Sequence, residues 1–265
     1  MYSPLQLASK FLKYWLTASN GKGHGIHSPF VFDFIKKVLN DKHDYYCYQK
    51  IEALRNELLA DETVLTIEDF GAGSRTSATK QRSIQSIARS ALKPKKFGQL
   101  LFRIANYYQP ENILELGTSL GITSAYLASA SQQAQLVTME GAREVAAVSK
   151  AHFEQLGLNN IQLTVGNFDE TLGPVLSKVN QVDLAFIDGN HRKEPTVRYF
   201  NQLLPYCREN TILIFDDVHW SKEMEQAWET IKADERVLLT IDLFFIGLVF
   251  FRKDFKVKQH FIIRF

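Results

Sequence analysis

The chain has 265 residues, 45% of them hydrophobic, and a formal charge of +2. That length is large for one domain and small for two, so one main domain with an appendage is expected, and the near balance of charge excludes a surface built throughout for a polyelectrolyte partner. Only Cys47 and Cys207 are present, far apart and without a CxxC pair, which argues against a disulfide framework or a zinc site and fits a reducing cytoplasm.

In chain order, the opening stretch MYSPLQLASKFLKYWL is amphipathic and interrupted by Lys10 and Lys13, with no long apolar run and no small-residue cleavage site. It predicts a helix packed on the protein and no membrane span, while a role at a membrane surface stays open. Residues 1–95 together read as an N-terminal helical cap: aromatic-rich helical pieces, the loop SNGKGHGIHSPF carrying His24 and His27, and no alternation of strand and helix. Within it, IEDFGAGSR at 67–75 follows a short strand candidate, ETVLTI, and precedes the polar run TSATKQRS. This first glycine loop reads as a turn with Ser74 as a helix cap, with a substrate-facing loop as the alternative. Between positions 71 and 103 stand Arg75, Lys80, Arg82, Arg89, Lys93, Lys95, Lys96 and Arg103 with no acidic residue. A solvated helix face accounts for that run as well as a surface that steers an anionic substrate or nucleic acid.

Residues 96–265 alternate between apolar strand-like runs and segments of helical period, the pattern of a parallel sheet covered by helices. Strands are predicted at 112–117, 134–140, 161–165, 182–188 and 211–217, with helices near 121–131, 142–157, 168–178, 193–207 and 221–234. RVLLTIDLFF and GLVFFRK are separated by too few residues for a crossover helix, so they are expected to pair as an antiparallel hairpin turning around Ile246 and Gly247.

A second glycine loop, ILELGTSLG at 113–121, leaves a strand and enters the helical run ITSAYLASA, as a ligand-binding loop must. The spacing from Gly117 to Gly121 is not that of a dinucleotide binder. Glu115 lies two residues before Gly117, and Glu140 closes the second strand, where a carboxylate accepts hydrogen bonds from ribose hydroxyls. An acid in the first strand suits a cationic ligand better than a phosphate, and S-adenosyl-L-methionine carries a sulfonium and an ammonium. At these residues the chain resembles the class I S-adenosylmethionine-dependent methyltransferases, over about residues 97–253. The resemblance implies a doubly wound, Rossmann-like α/β fold: a seven-stranded, mostly parallel sheet with an antiparallel last strand, spanning 96–265 behind the cap. It further implies that Gly117, Thr118, Ser119 and Gly121 wrap the methionine part of the cofactor. Glu140 and Gly141 then hold the ribose, and Asn167 and Phe168 of the loop GNFDETL border the adenine. Many relatives carry Asp where this chain has Asn167.

The acceptor chemistry is expected at the carboxyl ends of the fourth and fifth strands, where FIDGNHRKE and LIFDDVHW bring Asp188, His191, Asp216, Asp217 and His219 to one edge. Three neighbouring carboxylates repel unless protonated or neutralised, and oxygen ligands suit magnesium or calcium. DGNH followed by FDD is similar to the metal-dependent branch of small-molecule O-methyltransferases, the catechol and macrolide-sugar type. That resemblance implies magnesium (Mg2+) on Asp188, Asp216 and Asp217, with His191 as base and Asp188 beside both metal and cofactor. Against it, consecutive Asp216 and Asp217 on an extended strand point to opposite faces unless the strand ends there, one of them is equally suited to capping the next helix, and Lys193 stands where relatives often have an aromatic residue. His219 reads as a structural neighbour of Trp220, and the His24 and His27 loop as plain loop or as a lid.

The resulting expectation is a cytoplasmic methyltransferase acting on a hydroxyl of a small-molecule acceptor, with homo-oligomerisation left open. A nucleic-acid methyltransferase using the basic run is the rival not favoured, since no Asn-Pro-Pro-Tyr-like motif is present. An inactive interaction module on the same fold is a second rival, and a nicotinamide-dependent dehydrogenase a distant third.

Overall fold

A computed structural model describes residues 1–67 and 81–265. The segment 68–80, which takes in nearly all of the first glycine loop with Ser74, Arg75 and Lys80, lies outside the described residues. In chain order the elements are helices α1 (Pro4–Thr17), α2 (Pro29–Phe34) and α3 (Tyr48–Ala60), strands β1 (Val64–Thr66) and β2 (Gln81–Ser83), and helices α4 (Ile84–Ala91) and α5 (Lys95–Tyr108). Then follow β3 (Asn112–Leu116), α6 (Ile122–Ala130), β4 (Gln135–Glu140), α7 (Arg143–Leu156), β5 (Ile161–Val165), α8 (Phe168–Val179) and β6 (Val182–Ile187). The chain closes with α9 (Lys193–Leu203), β7 (Cys207–Asp216), α10 (Lys222–Ala233), β8 (Leu239–Asp242), β9 (Ile246–Phe250) and β10 (Gln259–Ile262). Among the described residues no helix is long and apolar enough to cross a membrane.

Residues 42–179 form one compact unit. Its strands β3, β4 and β5 run parallel in that order, with Glu115 beside Thr138 and Met139 beside Thr164. β3 is buried along Ile113, Leu114, Glu115 and Leu116, and α6 is buried on every side, so both are core elements. The short strand expected ahead of the first glycine loop is present as β1, paired antiparallel with β2.

Residues 1–41 and 180–265 form the second unit. Its strand order is β10-β8-β9-β7-β6, with β6 and β7 parallel and β9 antiparallel to both β7 and β8. Helix α1 starts on a capping box, Ser3 with Gln6, which satisfies two backbone donors that the first turn would otherwise leave open. Its inner face packs as predicted: Tyr14 and Ala18 are buried with Phe244, flanked by Leu7, Phe11 and Phe245. The Tyr14 hydroxyl donates to the Ile263 carbonyl.

Three details differ from the sequence reading. Besides the β1–β2 pair, the units hold five and three strands, eight where seven are expected, the extra one being β10, which pairs parallel with β8; four residues with alternating burial in a charged tail gave too little pattern to see. The hairpin turns at 243–245 rather than at Ile246 and Gly247: Asp242 Oδ1 accepts the Phe244 N–H at 2.8 Å, and Phe244 takes φ 70. Gly247 belongs to β9 because the Trp228 ring occupies the space a side chain there would need, 2.7 Å from an ideal Cβ. Finally, the helix predicted over 193–207 stops at Leu203 and tightens into a 3-10 turn, Leu204–Tyr206, around Pro205.

Candidate functional site

In the unit of residues 42–179, the second glycine loop joins β3 to α6. The strand β3 ends at Leu116, and the N–H groups of Gly117 and Thr118 both donate to the Met139 carbonyl at 3.0 Å, which holds the loop against the end of β4. Gly121 has φ 85, and an ideal Cβ there falls 2.7 Å from the Phe153 ring, so the chain can enter α6 only with glycine at this point. Ser119, at φ 48, donates its N–H to Glu140 Oε2 at 2.8 Å, while Glu140 Oε1 accepts from the Ala142 N–H at 3.0 Å. The half-buried Glu140 carboxylate at the end of β4, with Gly141 next to it, therefore lies beside the glycine turn.

Glu115 is fully buried. Its Oε2 accepts from the hydroxyl of Ser124 and, at 2.6 Å, from that of Thr138. The Thr118 hydroxyl lies 2.6 Å from that of Thr138; since Thr138 gives its proton to Glu115, Thr118 is the donor to Thr138. A carboxylate inside the fold is thus solvated by a chain of hydroxyls that also fixes the loop and the first turn of α6. Ser124 and Thr138 were not singled out in the sequence, because a hydroxyl on a buried strand or helix has no local signature until its partner is known.

Asn167 caps α8: its Oδ1 accepts the Asp169 N–H at 3.1 Å and its carbonyl the Thr171 N–H at 3.0 Å. That leaves the amide NH2 as its outward donor, a capacity that an aspartate lacks. Phe168, half-buried, opens the same helix.

In the unit of residues 1–41 and 180–265, Asp188, His191 and Asp216 are brought together, one ligand atom from each lying within 4.8 Å of the others. The parallel register sets Ile187 beside Phe215, so Asp188 and Asp216 leave adjacent strand ends. His191 Nε2 is 3.3 Å from Asp188 Oδ1. Asn190 between them takes φ 57, which asparagine tolerates, and its side chain donates to the Tyr199 hydroxyl at 3.3 Å. Two carboxylates and an imidazole form a donor set that fits a divalent cation such as magnesium or manganese.

Asp217 is not in that group. The strand ends at Asp216, Asp217 takes φ 53, and its N–H donates to the Phe245 carbonyl at 2.7 Å. His219 is also elsewhere: Nε2 lies 2.8 Å from Asp242 Oδ2, Nδ1 lies 3.2 Å from Glu225 Oε1, and the ring stacks on Phe244. Burial opposes its charged form, but the hydrogen bonds and charges of Asp242 and then Glu225 outweigh burial and raise its pKa. Glu225 in turn receives Tyr2 at 2.6 Å and Lys10 at 2.9 Å, so this cluster fastens α1. His24 and His27 are exposed in their loop. The thiols of Cys47 and Cys207 are free, and burial pushes the first up to about 11 and the second to about 12.

Residues 114–218 match a family model described as a methyltransferase domain. Over those residues the chain is similar to a methyltransferase domain. Two curated relatives are catechol O-methyltransferases, one from Niastella koreensis, 31% identical over 46% of this chain and 55% of its own length, the other from Mycobacterium tuberculosis, 28% identical over 59% and 69%. The chain thus spans about half the length of the first. An O-methyltransferase from Bacillus cereus, solved in complex with SAH, superposes with a TM-score of 0.55 at 20% identity, covering 83% of this chain and 97% of that one. At that identity the likeness speaks to the fold, which is the α/β, Rossmann-like, mostly parallel class expected from the sequence. The resemblance to class I S-adenosylmethionine-dependent methyltransferases is borne out for the methyltransferase domain.

Proposed function

We propose that this methyltransferase domain transfers the methyl group of S-adenosyl-L-methionine to a hydroxyl oxygen of a small molecule, with a divalent cation, Mg2+ by preference, assisting. The observation that carries the reading is the Asp188, His191 and Asp216 group at the carboxyl ends of β6 and β7, because O-methylation gains from lowering the pKa of the acceptor. A bound cation would polarise an acceptor oxygen and ease loss of its proton. Asp188 and Asp216 would hold that cation through carboxylate oxygens. His191, oriented by Asp188, would complete the ligand set or take the acceptor proton on a ring nitrogen. Asp217 would support this edge from the turn after β7.

On the cofactor, Glu140 would accept hydrogen bonds from the ribose hydroxyls, with Gly141 letting the chain pass close by. Gly117, Thr118, Ser119 and Gly121 would surround the methionine part. Glu115, behind the turn, would supply negative potential toward the sulfonium. Asn167 and Phe168 would border the adenine. In such a transfer the acceptor oxygen, its proton passed to His191 or to solvent, would meet the methyl carbon in line with the departing neutral thioether, so alignment by these residues would supply much of the rate. Residues 1–95 would serve as a cap shaping the acceptor pocket, with the loop of His24 and His27 as its lid.

The test is release of S-adenosylhomocysteine from a panel of catechols, phenols and sugar hydroxyls, with and without chelator. Turnover of a hydroxyl acceptor that chelator suppresses is the expected result. No binding of S-adenosylmethionine by calorimetry would overturn the whole reading, and turnover undiminished in chelator would remove the cation from it.

A further inference from the structure

Helix α1 carries two apolar faces, and only one of them is used by the fold. At 3.6 residues per turn, Leu7, Phe11, Tyr14 and Ala18 fall on the inner face and pack as described above. Leu5, Ala8, Leu12, Trp15 and Leu16 fall on a second arc of about 100° turned to solvent. There Leu5 is 84% exposed, Leu12 58%, Leu16 69% and Trp15 45%. Scattered apolar residues on a surface need no explanation, but four large ones on one strip of a single helix do.

The charges bordering that strip have one sign. Lys13 follows Leu12 on one edge and is exposed. On the other edge the Arg264 guanidinium lies over the Trp15 ring, 5.6 Å from its centroid, and donates to the Leu16 carbonyl at 3.5 Å. Lys22 is exposed a little further along, and no Asp or Glu occurs before Asp33. Lys10, by contrast, is engaged with Glu225 on the inner side. An apolar strip with Trp and Leu, edged by cations and free of carboxylates, is the composition of a helix that lies in the interfacial plane of a bilayer.

We propose that the outer face of α1 docks on an anionic phospholipid surface, Leu5, Leu12, Leu16 and Trp15 entering the acyl boundary while Lys13 and Arg264 meet lipid phosphates. A second copy of the chain is the poorer occupant: pairing this face with itself brings together cations that no carboxylate of α1 answers. The helix lies flat, since its inner face remains committed to Phe244 and the C-terminal strand.

The experiment is co-sedimentation of the full chain with vesicles of phosphatidylcholine alone and of phosphatidylcholine mixed with phosphatidylglycerol, together with sedimentation velocity without lipid. The comparison variant is Leu12→Glu with Leu16→Glu, both on the exposed strip, and its melting curve checks that the packed face is intact. Wild type is expected to sediment with the anionic vesicles, to release as salt rises, and to lose at least about tenfold in binding in the double variant. Absence of binding to anionic vesicles, or equal binding by the variant, would overturn the proposal. So would a dimer in solution that the same substitutions dissolve, which would assign the face to a second copy.

Discussion

His191 Nε2 stands 3.3 Å from Asp188 Oδ1 because Asn190, between them, turns the chain through a left-handed conformation at φ 57. The imidazole is thereby aimed at the carboxylate that shares its group with Asp216. If these three side chains hold a cation, loss of either acid costs a ligand and its charge. Asp188→Asn and Asp216→Asn are each expected to weaken magnesium or manganese binding in calorimetry by at least about tenfold, the lower end of what even outer-shell changes cost. Asp217→Asn, outside the group, should lose less; an equal loss would redraw the ligand set.

Glu140 provides a second measurement. Its two oxygens are held by the Ser119 and Ala142 N–H groups, a geometry that fixes the carboxylate in place. Hydrogen bonds to a charged group contribute about 1.5–3 kcal/mol, so Glu140→Ala should lower affinity for S-adenosylmethionine by about ten- to a hundredfold. Affinity unchanged in that variant would remove the ribose assignment.

Gly121→Ala tests the loop itself. The new methyl group would fall 2.7 Å from the Phe153 ring at a residue with φ 85. The left-handed backbone alone costs about 1–2 kcal/mol for an L-residue, and the clash adds to it. A fall in the urea midpoint with an unchanged slope is expected; a midpoint equal to wild type would mean that Phe153 moves aside without cost.

The His219 cluster sets a pH dependence of stability. The raised pKa of His219, above its ordinary 6.5, means that its contribution is fully present below that value and is lost as pH rises through the folded pKa. Glu225 is shifted the other way. Burial would raise it, but Tyr2, Lys10 and His219 together hold it below its ordinary 4.5, so its contribution is present above that value and lost as pH falls through the lowered pKa. Both act between about pH 4.5 and 6.5. The melting temperature should therefore decline as pH is raised beyond that window, and His219→Gln should flatten the decline. A slope preserved in the variant would place the titration in another group.

Much of this was readable residue by residue. The second glycine loop announced itself by its neighbours, an apolar strand before and a helical run after, and the structure places it between β3 and α6. That Glu140 closes a strand was legible because the apolar run of β4 stops there. The split between Asp216 and Asp217 was half visible: alternation along a strand predicts that they part, but the end of β7 and the turn at Asp217 depend on the Phe245 carbonyl, contributed by the hairpin after β8. The hydroxyls around Glu115 come from α6 and β4, nine and 23 positions away, and nothing local in SAYL or VTME marks them as partners of a buried acid.

Local order in the chain therefore determined the periodic elements, the parallel architecture of strands and helices, and the residue types able to meet a cation or a sulfonium, because period, glycine spacing and strand ends are properties of contiguous sequence. Tertiary structure alone decided that His219 joins Asp242 and Glu225 rather than Asp188, that Glu115 is satisfied by hydroxyls, and that α1 spends one of its two apolar faces on Phe244. Those outcomes turn on which distant groups share a buried space, where an unpaired charge is expensive and the partner closest in space, not in sequence, supplies the compensation.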